Sequence, residues 1–311
     1  PPILLDYRAG HDDQGRIASW DADIFLAERP LKRSGVTLLA AVLAKLPKFG
    51  PPEPNLANPG LGIPYTLANS KLTAHWLVDT PLPAAWIRAP GRMQNTFGNE
   101  SFLDEIAAAA GIDPFEIRIR HLTDKRGLEL LERLRTFAKW EPRGSRPRDD
   151  GVLARGRGVS YAKYELVRTY VGAVADVTVD RTTGRIKVDR VFVAHDCGQI
   201  INPDGLRNQI EGNVVQTVSR TMVEKLTFSR SAVTSLNWGS YPILTFPNVP
   251  DVVIDLIDRP NEVPWGAGEP TTSIVPSVIA NAVFDATGVR LRSVPFRPDK
   301  VLAALNLAKS R

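Results

Sequence analysis

Trp265-Gly-Ala-Gly-Glu-Pro270 leads directly into a helical run over residues 271–287, and this stretch decides the fold prediction. The glycines allow the backbone to bend sharply, and Pro270 suits the first turn of a helix because its missing N–H would be unpaired there anyway. Apolar residues recur along the run at helical spacing, and Gly288 occupies the position of a left-handed C-cap. Glu269 is therefore predicted to be a carboxylate at the mouth of a helix.

Spacing alone leaves two explanations for Glu269. A carboxylate at this position can serve only as a helix cap, favoured by the positive end of the helix dipole. The other explanation is a catalytic carboxylate, which needs support from beyond the spacing. The two explanations stay open at the level of the residues.

The composition is that of an ordinary globular chain, with 311 residues, 43% hydrophobic content and a net charge of +5. Positive and negative residues are mixed throughout rather than gathered into a basic arm, so nucleic acid is not an expected partner. No uninterrupted apolar run approaches the roughly 20 residues of a membrane helix, so we expect a soluble chain.

Cysteine and histidine usage limits the metal chemistry that the chain can support alone. The single cysteine, Cys197, excludes an intrachain disulfide and an iron–sulfur cluster built from this chain only. The four histidines are far apart and match no short metal-ligand spacing. If a metal is used, we therefore expect that the protein does not coordinate it directly. The histidines are His11, His75, His121 and His195.

Strand and helix patterns occur in both halves of the chain and predict an α+β fold, with mixed sheets and flanking helices. Two hairpins are indicated, one around Asp12-Asp-Gln-Gly15 and one around Arg181-Thr-Thr-Gly184. Prolines between residues 47 and 64 predict an extended surface loop. Helices are predicted over residues 35–46, 100–110, 124–140 and 204–226.

A composition change near the middle of the chain indicates a boundary. Residues 141–157 are rich in proline, glycine, arginine and aspartate and show no apolar period, which is typical of a linker. We therefore divide the chain into a first α/β subdomain, residues 1–145, and a second subdomain, residues 146–311, which carries Glu269.

The predicted helix over residues 204–226 has one apolar face and one polar face rich in amides. The polar face contains Gln209, Asn213, Gln216 and Arg220, spaced by four, three and four residues. From the pattern alone, this face is equally explained as a solvated helix surface and as a binding surface.

Four segments resemble the molybdopterin-binding large subunit of the xanthine oxidase, or molybdenum hydroxylase, family. They are Arg88-Ala-Pro-Gly91, Asn208-Gln-Ile-Glu-Gly212, the Gly-Ala-Gly-Glu-Pro run that ends at Pro270, and the run from Ala280 to Pro295. These segments occur in the same order as in that family, and their residues are most similar to those of the bacterial branch that contains isoquinoline oxidoreductase, nicotinate dehydrogenase and aldehyde dehydrogenase. The resemblance implies a molybdopterin-binding domain of the aldehyde oxidase/xanthine dehydrogenase type.

The resemblance also implies site residues. Glu269 would be the catalytic base that takes a proton from a molybdenum-bound hydroxyl, while Arg88, Ala89, Gln209 and Gly268 would contact the cofactor. No residue would ligate the metal, because the dithiolene of the pterin holds it. The implied reaction oxidises an aldehyde or an N-heterocyclic aromatic carbon, with water as the oxygen source.

The resemblance further implies cofactors and partners. The expected cofactor is a molybdenum cofactor in its cytosine dinucleotide form, and [2Fe-2S] clusters would lie on a small partner subunit, with a cytochrome c or flavin subunit as a further acceptor. Two glycine-rich cofactor motifs of the family are absent, so we expect the N-terminal half of the molybdopterin-binding region on another chain. The compartment stays open between bacterial cytoplasm and periplasm. The alternative function is a non-catalytic half that scaffolds a partner chain carrying the chemistry.

Overall fold

Two mixed sheets form the framework of the protein in a computed structural model, which describes residues 2–27, 44–45, 61–77, 87–144 and 151–309. In the first sheet, β1 (Ile3–His11) pairs antiparallel with β2 (Ile17–Ala27), and β2 pairs parallel with β3 (Ser70–Leu77). The turn between β1 and β2 is closed by a hydrogen bond from the Gly15 amide to the Asp12 carbonyl at 2.9 Å. The first predicted hairpin is therefore confirmed.

The second sheet has the strand order β4-β5-β6-β7. Strands β4 (Leu153–Lys163), β5 (Tyr170–Asp180) and β6 (Ile186–Asp196) pair antiparallel, and β7 (Asp251–Leu256) joins β6 in parallel. The second predicted hairpin is confirmed as the β5–β6 pair. Mixed sheets with flanking helices agree with the predicted α+β fold.

Six helices accompany the sheets in the described residues. Pro114 and Pro270 stand at the first position of their helices, as their missing N–H groups favour. The helices are α1 (Arg92–Ala109), α2 (Pro114–Arg120), α3 (Lys125–Phe137), α4 (Pro203–Met222), α5 (Pro270–Thr287) and α6 (Pro298–Lys309).

Helix α5 lies at the centre of the main core. It packs on β4 and β5 and is flanked by α1 and α4, and nearly all of its side chains are buried. Two glycines of β4, Gly156 and Gly158, let the α5 backbone approach the strand closely, since an added Cβ would lie 2.3 Å from helix backbone atoms at either position. Because α5 is seated this deeply, its first residue has little freedom to move.

A second core lies on the other side of the second sheet. Leu130 and Leu134 of α3 are fully buried in it, together with Val174 of β5. Next to it, the buried guanidinium of Arg118 pairs with the buried carboxylate of Glu100 at 2.8 Å. Elements from both predicted subdomains contribute to this core, and the division at residue 145 stays a prediction.

Two predicted boundaries are wrong by more than four residues. Strand β4 begins at Leu153, inside the predicted linker, because alternate residues of its polar-looking start are buried against α5 and β5. Helix α1 begins at Arg92 rather than at residue 100, because its early turns bury polar side chains such as Asn95 and Asn99, which hide the apolar period. The helix predicted over 35–46 and the loop over 47–64 lie mostly outside the described residues.

Candidate active site

The Glu269 carboxylate does not cap the helix that follows it. Glu269 occupies the N-cap position of α5, yet its side chain accepts no hydrogen bond from the amides of that helix. Its Oε1 instead accepts the backbone N–H of Ala89 at 3.1 Å, and its Oε2 accepts the hydroxyl of Tyr164 at 2.7 Å. The capping explanation therefore fails, because the carboxylate is held by donors from two distant parts of the chain.

Asn213 takes over the capping role for α5. Its Oδ1 accepts the backbone N–H of Thr272 at 3.1 Å, although Asn213 belongs to α4. Its Nδ2 donates to the carbonyl oxygen of Ala267 at 3.1 Å, on the glycine-rich turn. Since Asn213 is fully buried, it ties α4, the turn and the start of α5 together and leaves the Glu269 carboxylate available to other groups.

The guanidinium of Arg88 donates hydrogen bonds to two further residues predicted for the site, Gly268 and Gln209. Its Nε donates to the Gly268 carbonyl, its Nη2 donates to Gln209 Oε1 at 2.9 Å, and its Nη1 reaches Gln216 Oε1 at 3.5 Å. Burial lowers the pKa of Arg88, and the positive charge of Arg220 acts in the same direction, while Glu269 opposes both. Gln209 and Gln216 are exposed, so their amides face the open side of the site.

Ala89 presents its amide to Glu269 through an unusual backbone conformation. Its φ is 60° and that of Gly91 is 72°, both in the left-handed region. A non-glycine residue pays roughly 1 kcal/mol or more for such a conformation, which is tolerated where the surroundings enforce it. Ala89 is fully buried against Met93 and Tyr164, and these contacts hold the amide in place.

The structure therefore brings together all five residues that the sequence assigned to the site, although Ala89 and Glu269 are separated by 180 positions. It adds Tyr164, Asn213 and Gln216. Asn213 and Gln216 lie on the amide-rich face of α4, so the spacing of that face contained a signal for them. The sequence around Tyr164 does not indicate a site residue, because a tyrosine at the end of a strand is common in any core.

His195, Cys197 and Lys163 show no contact with Glu269 or Arg88. His195 is fully buried in β6, and burial lowers its pKa to about 4. Burial raises the pKa of the Cys197 thiol. Lys163 forms an ion pair with Asp124 at 2.5 Å. Their packing is that of structural residues.

The side chains around Glu269 fit an anionic organic cofactor better than a bare metal ion. Within the described ranges, no group of three or more His, Cys, Asp or Glu side chains could hold a metal ion. The open side of the site is lined instead by the guanidinium of Arg88 and by two amides that both donate and accept. In the described part of the chain, Nη1 of Arg220 is buried and has no hydrogen-bond partner. An unpaired buried donor beside a second guanidinium suits a negatively charged group such as a phosphate.

Two family models, each described as a molybdopterin cofactor-binding domain, match residues 1–122 and 112–250. A nicotinate dehydrogenase subunit from Pseudomonas putida is 38% identical over 97% of this chain, which spans 26% of that protein. The beta subunit of isoquinoline 1-oxidoreductase from Brevundimonas diminuta is 28% identical over 68% of the chain, which covers 26% of its length. The chain thus spans about a quarter of these curated relatives.

The fold is also found in a solved structure. The aldehyde oxidoreductase of Desulfovibrio gigas aligns with a TM-score of 0.77 over 98% of this chain and 49% of its own, at 14% identity. At that identity, the likeness concerns the fold alone. None of the described helices is both long enough and apolar enough to span a bilayer. The two molybdopterin-domain matches together cover residues 1–250, and the nicotinate dehydrogenase subunit is 38% identical to the chain. These findings show that the chain belongs to the molybdopterin-binding subunits of the xanthine oxidase family.

Proposed function

We propose that the chain contributes the catalytic base to a molybdenum-dependent oxidoreductase that oxidises an aldehyde or an N-heterocyclic aromatic carbon, with water as the oxygen source. Glu269 is the base. The observation that carries this proposal is that its carboxylate turns away from its own helix and is held by the Ala89 amide and the Tyr164 hydroxyl. A structural cap has no need of such donors.

The same geometry leaves Glu269 able to accept a proton. An ionised carboxylate offers about four acceptor positions, so two donors leave room for an incoming proton. Oε1 receives the Ala89 amide and Oε2 receives the Tyr164 hydroxyl, each at a usual distance for its kind of donor. Glu269 would hold that proton while the water-derived oxygen is transferred to the substrate carbon.

Residues on the open side of the site would hold the cofactor. A molybdopterin-type cofactor, when bound, supplies the molybdenum centre that takes up the electrons of the oxidation. Arg88 would contact its anionic groups, and Gln209 would exchange hydrogen bonds with its ring edges, as an amide can donate and accept at once. Ala89 and Gly268 would line the site with backbone. The cytosine dinucleotide form is part of this proposal.

The wider assembly is proposed from the relatives. The chain spans only part of their length, and their names describe them as subunits. We infer that a further segment or chain supplies the N-terminal part of the molybdopterin-binding region, and that a small [2Fe-2S] subunit carries electrons away. A cytochrome c or flavin subunit would follow. The names nicotinate, isoquinoline and aldehyde describe substrates of the relatives, and an electron-poor carbon is the chemistry that they share.

Replacing Glu269 by Gln in the purified complex tests the proposal. The substitution keeps size and hydrogen-bonding capacity but removes the base, so kcat should fall by about 10²- to 10⁴-fold. Molybdenum content, measured on the same preparation, should stay at the wild-type level. The matched control is Glu132→Gln on the exposed surface of α3, which should leave both quantities unchanged.

Normal turnover in a fully loaded Glu269→Gln variant would refute the assignment. That outcome would favour the alternative in which this chain scaffolds a partner that carries the chemistry. A loss of molybdenum in the same variant would instead give Glu269 a role in cofactor retention, and the assignment as base would fall as well.

A further inference from the structure

Tyr164 contacts both the Glu269 carboxylate and Ala89, the residue whose amide is the other donor to that carboxylate. Its hydroxyl donates to Glu269 Oε2 at 2.7 Å, and its ring packs against Ala89 and Met93. We propose that Tyr164 is a positioning residue for Glu269, because its hydrogen bond aims the carboxylate. This inference rests on the proposed function of Glu269.

The position of the hydroxyl is fixed by the backbone around it. Tyr164 follows directly after β4, where its amide donates to the Thr169 carbonyl at 2.8 Å. Glu165 and Leu166 then adopt φ values of 53° and 63°, which are rare for residues with a side chain. Two consecutive left-handed residues cost free energy and persist only where the surrounding structure enforces them. The rest of the fold therefore holds this tight turn, at the point where the Tyr164 hydroxyl meets the Glu269 carboxylate.

Burial keeps the hydroxyl protonated, so that it is always a donor. The exposed fraction of Tyr164 is 5%. Burial raises its pKa far above the usual range, and both the bond to Glu269 and the negative charge of that residue raise it further. The proton therefore stays on the phenol, and the hydroxyl keeps its role as a donor to Glu269 Oε2.

Other charged groups surround the pair. Arg88 lies beside Glu269 on the loop before α1, and Arg220 of α4 acts on Arg88. Arg92 of α1 and Glu165 of the turn both act on Tyr164. The effect of the neighbouring Glu165 charge therefore has to be separated from the effect of the Tyr164 hydroxyl.

The first experiment compares Tyr164→Phe with Tyr170→Phe in the purified complex. Tyr170 is a suitable control because its hydroxyl also donates to a carboxylate, that of Asp124, at 2.8 Å, and Tyr170 is equally buried. In Tyr164→Phe, kcat should fall by about 10- to 100-fold while KM changes little, since the carboxylate is no longer aimed by the hydroxyl.

A variant of the neighbouring carboxylate separates the role of the hydroxyl from that of the local charge. In Glu165→Gln, the tyrosine hydroxyl remains, and kcat should stay at the wild-type level. A kcat that falls in Glu165→Gln as far as in Tyr164→Phe would overturn the inference, because the local charge would then explain the effect.

A second readout does not depend on turnover. If the Tyr164 hydroxyl and the Glu269 carboxylate interact, the variants Tyr164→Phe and Glu269→Ala, each of which removes one partner of the hydrogen bond, should lower the Tm of the complex non-additively. The double variant should lose less than the sum of the two single losses. Molybdenum content is measured in parallel, so that a loss of cofactor is not mistaken for a loss of the pair.

The outcomes separate this inference from the proposed function. If Glu269→Gln abolishes turnover while Tyr164→Phe behaves like Tyr170→Phe in kcat and KM, the base stands and the role of Tyr164 is refuted. Additive Tm losses would refute it too. If Glu269→Gln retains turnover, the proposed function itself fails.

Discussion

Hydrogen bonds from two separate segments hold the Glu269 carboxylate, and neither donor belongs to the helix that Glu269 begins. At the scale of single residues, this is possible because Asn213 satisfies the Thr272 amide at the start of α5. A glutamate in the N-cap position would otherwise compete for that amide. Because Asn213 caps the helix, the Glu269 carboxylate remains available for chemistry.

A second residue, His195, makes the stability of the fold sensitive to pH. It is fully buried in β6, and within the described residues neither of its ring nitrogens has a hydrogen-bond partner. Burial lowers its pKa from 6.5 to about 4, so the folded state resists a proton that the unfolded chain accepts. The stability that depends on a neutral His195 is therefore fully present above pH 6.5. The free energy of unfolding should fall by about 3 kcal/mol as the pH drops to 4.

Urea unfolding at a series of pH values between 7 and 4 measures this loss. His195→Phe should flatten the dependence, because the ring is replaced by one that does not titrate. His11→Phe, at an exposed position, should keep the wild-type slope. An unchanged slope in His195→Phe would show that other groups cause the pH dependence.

At the scale of elements, the site depends on how closely α5 lies against β4. Glu269 precedes α5 and Tyr164 follows β4, so the distance between these two elements sets the distance between carboxylate and phenol. The side-chain-free surface of Gly158 makes the contact possible. Any group that separates strand from helix should disturb both the core and the site.

Gly158→Ala tests that dependence. The added Cβ would lie 2.3 Å from the Ala282 amide nitrogen and 2.4 Å from the Val278 carbonyl oxygen, and both belong to helix backbone that cannot rotate away. We expect a loss of about 3 kcal/mol in the free energy of unfolding, at the upper end for overpacking, together with reduced turnover. Urea unfolding and steady-state kinetics measure the two effects.

The matched control for stability is Gly266→Ala, because nothing lies within 4 Å of a Cβ at that position. Its free energy of unfolding should change by less than about 0.5 kcal/mol. If Gly158→Ala is as stable as Gly266→Ala, the strand and the helix can separate without cost, and the close approach does not hold the site.

At the scale of the whole molecule, the described halves are joined by polar contacts as well as by apolar packing. Asp104 of α1 accepts from Arg143 Nη1 and from Arg290 Nη1, each at 2.6 Å, and it is fully buried. Nδ2 of Asn281, in α5, donates to the Glu100 carbonyl of α1 at 3.3 Å. These contacts connect residues on both sides of position 145.

A fragment of residues 146–311 should therefore not fold stably by itself. Without α1 and α3, the apolar faces of α5 and of the second sheet would be exposed to water, and Arg290 would lose its buried partner. We expect this fragment to be insoluble or to unfold without cooperativity. Co-expression with residues 1–145 should restore a soluble complex, and circular dichroism with thermal unfolding measures the difference.

A cooperative transition of the isolated fragment, at the Tm of the whole chain, would contradict this expectation. It would show that the second predicted subdomain folds independently of the first.

Local sequence patterns predicted the parts of the fold that depend on chain neighbours. The glycine turns of both hairpins, the start of α5 at Pro270 and its C-cap at Gly288 all follow from short-range backbone preferences. Predictions failed where burial was decided at long range. Strand β4 begins in polar sequence because α5 covers it, and α1 hides its period behind buried polar residues.

By itself, the sequence determined that a carboxylate stands at the mouth of a long helix, that an amide-rich face precedes it, and that these segments resemble a molybdopterin-binding family. Only the tertiary structure decided what the carboxylate contacts. Ala89, Tyr164 and Glu269 are more than 70 residues apart along the chain, and they meet because α5 packs into the angle between β4 and α1. Hydrogen bonds between such distant groups depend on the packing of whole elements, and no local pattern specifies that packing.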